Sequence, residues 1–66
     1  MKPLAPQPLA VDLTTAASML GVSQRQLQVH MRRGDVVARY SGTKPIFPVT
    51  ELMAFLMALP EEPRAL

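Results

Sequence analysis

The sequence predicts a mainly α fold of three short helices with one small β-hairpin, and three observations predict it. Two helical patterns meet at Gly21-Val22-Ser23. A third, strongly apolar helical pattern opens behind Pro48 and stops before Pro60. Between them, Ser41-Gly42-Thr43 interrupts a run of strand-forming residues, which is how a hairpin turn reads.

The chain has 66 residues, enough for one domain. At this size a domain buries roughly 60% of the surface its unfolded chain exposes, so the core is thin. There is no cysteine, hence neither a disulfide nor a thiolate zinc site, and the composition suits a reducing cytoplasm. No apolar run approaches the roughly 20 residues needed to span a bilayer. The N-terminal stretch MKPLAPQPLA is broken by Pro3, Pro6 and Pro8 and lacks an apolar signal core, which argues against secretion.

Residues 1–12 read as a flexible, Pro-rich arm without internal hydrogen bonds, which orders only by docking. Residues 13–59 read as the folded domain and residues 60–66 as a short C-terminal tail. Thr14 is placed to cap a first helix running to about residue 20, with Ala16, Ala17 and Leu20 facing inward and Leu13 just upstream. Gly21 suits the left-handed turn that ends this helix, Val22 plugs the corner, and the Ser23 hydroxyl caps the next helix. The second helix spans residues 24–33, and Gly34 stops it. Residues 36–40 read as a strand and residues 44–47 as its return. Pro45 withholds a backbone donor, so the return strand is expected to be an edge or very short. Pro48 favours an extended Phe47 and opens the last helix.

The faces of the helices carry the functional information. At about 100° per residue, Leu27, Met31, Gln24 and His30 of the second helix turn toward the core or its edge. Arg25, Gln28, Val29, Arg32 and Arg33 fall on the solvent side. Arginine can grip guanine through two hydrogen bonds, glutamine can pair with adenine, and valine can touch a thymine methyl, so this face suits the major groove of duplex DNA. Arg33, near the helix end, also complements the helix dipole. Charge is concentrated in the same region. Arg25, Arg32, Arg33, Arg39 and Lys44 stand against Asp35 alone, a local net of +4, whereas the whole chain carries only +2.

On the last helix, Leu52, Phe55, Leu56 and Leu59 form the inward stripe at i, i+3, i+4 and i+7. Met53 and Met57 make a second stripe with only Glu51 charged. Such a helix on so small a chain leaves apolar surface exposed, and flexible methionines suit a protein contact there. The alternative is that the arm folds over it through Leu4 or Leu9. His30 is the single histidine and reads as a core-edge residue, without a suggested partner for metal binding or proton transfer. No phosphate loop, activated nucleophile or carboxylate pair appears, so no enzymatic activity, cofactor or metal is expected.

The order LTTAASMLGVS, then a helix ending RRGD, then a hairpin, then FPVTELMAFL, resembles the MerR-like winged helix-turn-helix family over about two thirds of the chain. The small members of that family include phage excisionases, also called recombination directionality factors. The resemblance implies a fold of three helices plus a wing, with the second helix in the major groove and the wing on the backbone or minor groove. It implicates Ser23, Gln24, Arg25, Gln28, Val29 and Arg32 in the helix, and Arg39, Thr43 and Lys44 in the wing. Three features depart from the family pattern. His30 replaces a more often aliphatic residue, the wing lacks the usual run of arginines and holds Pro45, and the long dimerising helix and effector domain of full-length regulators are not expected. The expectation is a DNA-bending accessory factor that acts with an integrase at attachment sites, self-associates on adjacent DNA sites and works in the host cytoplasm. Two alternatives are a small phage repressor or transcriptional regulator, and an interaction module that binds no DNA. Five arginines, eight alanines and no asparagine hint at a high-GC host.

Overall fold

The computed structural model describes residues 8–64. In chain order the elements are β1 (Ala10–Asp12), α1 (Leu13–Leu20), α2 (Gln24–Arg33), β2 (Arg39–Ser41), β3 (Lys44–Pro48) and α3 (Val49–Ala58). Three helices pack with a three-stranded antiparallel sheet of order β1-β3-β2. The sheet is larger than the hairpin expected from the sequence, because residues 10–12 are not part of a loose arm. Val11 pairs with Phe47 and Asp12 with Ile46, so the end of the arm docks by strand addition. The rest of the expected arm, residues 1–7 including Leu4, lies outside the described residues.

Beginning α1 straight out of β1 changes its cap. Asp12, not Thr14, is the N-cap, and its Oδ1 accepts the Thr15 amide at 2.8 Å. This position, three residues ahead of the receiving amide, is the one from which a short carboxylate reaches an orphan donor of the first turn. Both α1 and α2 then end in the same Schellman motif. Gly21 (φ 76°) and Gly34 (φ 81°) take the left-handed conformation, which side chains with a Cβ resist. The Val22 amide donates to the Ala17 carbonyl at 3.0 Å and the Asp35 amide to the His30 carbonyl at 2.9 Å.

The core gathers Ala16 and Ala17 of α1, Leu27 of α2, Val36, Phe47 of β3, and Leu52 and Phe55 of α3. Phe47 and Leu27 are its largest fully buried side chains. The two buried alanines keep the facing surface of α1 low, so that α2, too short to be stable alone, can press Leu27 against it. Val22 packs against this core from the corner, as its apolar side chain predicts.

Proline is accommodated differently from the expectation. β3 is the central strand although it contains Pro45 and Pro48. The register explains why. Pro45 faces only Tyr40 of β2 and Pro48 only Ala10 of β1, so at each proline the strand is flanked on one side. A missing donor is harmless where it points to the unflanked side. The first amide of α3 is likewise satisfied, since Val49 donates at 2.9 Å to the carbonyl of Leu9, the residue just before β1.

The inward stripe of α3 is narrower than its spacing predicts. Leu52 and Phe55 are buried and Leu59 packs against the core, but Leu56 is 51% exposed. At about 100° per residue Leu56 sits on the far flank of the stripe from Phe55. No element covers that flank among the described residues, and it opens on a shallow apolar groove between α1 and α3.

Candidate nucleic-acid interface

The solvent face of α2 is set by its two ends. Ser23 and Gln26 form a reciprocal capping box: the Gln26 amide donates to Ser23 Oγ at 3.1 Å, and the Ser23 amide to Gln26 Oε1 at 3.2 Å. The Ser23 hydroxyl, expected to meet DNA, is therefore engaged in starting the helix. With Leu27 and His30 buried, Arg25, Arg32 and Arg33 are exposed. Gln28 and Val29 are half-buried between them, less open than the helical periodicity predicts. Gln24, expected both at the core edge and in the DNA contact, is exposed at the first position of α2.

The second group of cations stands on the hairpin. Arg39, Thr43 and Lys44 are all exposed. The register pairs Ser41 with Lys44 and Arg39 with Ile46, and alternation puts these residues on the sheet face opposite buried Phe47. Tyr40, 61% exposed, projects from the core-side face beyond the edge of the core. It is a candidate contact that the sequence reading missed, although the period-2 alternation around Arg39 and Ser41 was the signal for it.

Electrostatically the two groups are free to meet a polyanion. Among the described residues Arg25, Arg32, Arg39 and Lys44 form no ion pair. Arg33 is the exception, with Nε 3.6 Å from Asp35 Oδ2. That contact favours its local role at the end of α2. Asp12, at the foot of the sheet, is held below the usual carboxylate range, first by the hydrogen bond from the Thr15 amide, then by that from its hydroxyl, with Lys44 adding attraction.

Asp35 is also the partner that the sequence reading did not find for His30. Its Oδ2 lies 2.9 Å from His30 Nδ1, and the ring meets Phe55 edge-on with centroids 4.9 Å apart. The signal was the turn itself. A Schellman motif folds the second residue after the helix back over its last turn, which at Gly21 joins Val22 to Ala17 and at Gly34 joins Asp35 to His30.

Met53 (63% exposed) and Met57 (83%) do leave apolar surface open, together with Leu56 and Met19. Leu9 does not cover them, being 89% exposed. Among the described residues no helix is long and apolar enough to cross a membrane.

No family model, curated protein or solved structure matches this chain.

Proposed function

We propose that the chain is a winged helix-turn-helix protein of the MerR-like kind that binds duplex DNA in a sequence-specific way. In this reading α2 enters the major groove and the β2–β3 hairpin is the wing. Arg25, Gln28, Val29 and Arg32 read base edges, Gln24 and Ser23 sit at the helix entry near the backbone, and Arg39, Thr43 and Lys44 meet phosphates. The protein acts without chemistry of its own, as an excisionase: copies bound at adjacent attachment sites bend the DNA for an integrase in the bacterial cytoplasm. Phosphate contacts offset a deformation cost of about 1–6 kcal/mol. Met53 and Met57 carry the contacts to neighbouring copies or to the integrase.

One observation carries this reading: four exposed cations on a capped helix and a hairpin, none paired with a carboxylate among the described residues. Cations that displace condensed counterions make affinity fall with salt. For four or five such contacts the log–log slope of binding against salt is about −4. Fluorescence anisotropy on attachment-site duplex across a salt series measures it. A slope near zero removes the nucleic-acid reading, and equal affinity for random duplex removes the sequence-specific one.

A further inference from the structure

Where α2 and α3 end side by side, the fold leaves a cavity of about 430 Å³. One wall is apolar, made of Phe55, Ala58, Leu59 and Pro60. His30, Arg33, Asp35 and Arg64 line the rest of the cavity, the His30 ring meeting Phe55 edge-on with centroids 4.9 Å apart. A pocket of this size with a few convergent polar groups on an apolar wall is the usual form of a small-molecule site.

The polar groups specify the charge of the ligand. Asp35 is occupied, with Oδ2 against His30 Nδ1 at 2.9 Å and Arg33 Nε at 3.6 Å. The His30 ring makes no other hydrogen bond among the described residues. No buried side-chain nitrogen or oxygen lacks a partner among the described residues, so Nε2 keeps some solvent access on a residue that lines the cavity. Arg64 forms no ion pair among the described residues. Two guanidinium groups against one carboxylate leave a single positive charge to be met. A guanidinium suits a planar carboxylate because its N–H groups match both oxygens.

We infer that this cavity binds a small aromatic carboxylate, its anionic group held by Arg64 and Arg33 and its ring against Phe55 and Leu59. His30 Nε2 faces the ligand, with its orientation fixed by Asp35. A metal ion does not fit, since among the described residues no three groups of the ligating kind stand together. A DNA phosphate does not explain the apolar wall. At about 100° per residue Arg33 lies on the His30 side of the exposed face of α2.

The test is a titration of the isotope-labelled full chain, followed by NMR, with 2-naphthoate, 2-naphthalenemethanol, acetate and inorganic phosphate as probes. Naphthoate is expected to give saturable shifts at His30, Asp35, Phe55, Leu59 and Arg64, binding at least tenfold tighter than any other probe. Arg64→Ala, in an exposed tail, should weaken it tenfold or more. Ala58→Leu, which fills the apolar wall, should abolish it while circular dichroism keeps the native helix signal. Equal binding of acetate or phosphate would overturn the proposal in favour of a plain anion site. Shifts centred on Met19, Met53 and Leu56 would place the probe in the other groove and overturn it too. So would absence of saturation, an unaffected Arg64→Ala, or displacement of naphthoate by duplex DNA, which would make the cavity a backbone contact.

Discussion

Arg25 and Lys44 carry the same charge in different settings, and the difference predicts different losses. Arg25 stands in the first turn of α2, exposed and without an ion pair among the described residues, where a guanidinium can reach base edges. Lys44 stands at the hairpin pair with Ser41, where in the proposed complex its ammonium would meet phosphate. Arg25→Ala is expected to cost about 1–3 kcal/mol of binding and to relax sequence preference. Lys44→Ala should weaken specific and random duplex alike, and parallel titrations of the two duplexes distinguish the cases. If both variants lose both affinities in the same proportion, α2 is not the reader. Asp12 supplies a prediction of another sort. Its folded-state carboxyl is held below the ordinary value of 3.8, chiefly by the Thr15 amide. The cap therefore contributes in full above the unfolded value and is lost as pH falls through the lowered folded one. Thermal melts between pH 5 and pH 2.5 should show a stability loss in the native chain that Asp12→Asn, which keeps an acceptor without the charge, shows to a smaller degree.

At the scale of elements, both ends of α2 are legible in the sequence because their signals are local. Ser23 and Gly34 act through their own side chain or backbone, and helix bounds follow from them. The hairpin turn at Gly42-Thr43 is legible for the same reason. β1 is not, since Ala10-Val11-Asp12 becomes a strand only by pairing with residues far along the chain. The rank of β3 is hidden by its prolines, whose tolerance depends on where each neighbouring strand stops. In the candidate interface, the exposure of Arg25, Arg32, Arg39 and Lys44 follows from periodicity, whereas Asp35 beside His30 requires the geometry of the turn. Periodicity also cannot say how wide a stripe will be covered, which is why Leu56 lies open. α3 thus presents Leu56, Met53 and Met57 outside its buried stripe. Met53→Glu with Met57→Glu should leave the fold intact, because Leu52 and Phe55 keep the core. Single-site DNA binding should persist, while cooperative loading on adjacent sites, or excision in a reconstituted integrase reaction, falls tenfold or more. Unchanged cooperativity and excision would show that the stripe has no partner there, and unfolding would place the methionines in the core.

For the whole molecule, the seam between β1 and β3 joins segments more than thirty residues apart, Asp12 to Ile46 and Ala10 to Pro48. Closing so long a loop costs entropy before the contacts reward it, whereas the α1–α2 corner closes locally. Val11→Ala is accordingly expected to speed unfolding and to change the folding rate by less than twofold, as stopped-flow measurements would read. A folding rate slowed in proportion to the lost stability would put the seam in the folding nucleus. The same seam bears on how the chain is made. β1 leaves the ribosome before β3 does, so in that interval Val11 and its neighbours are an unclaimed strand, open to any other nascent chain with a free edge. The molecule is safe from that exchange only once its central strand has emerged.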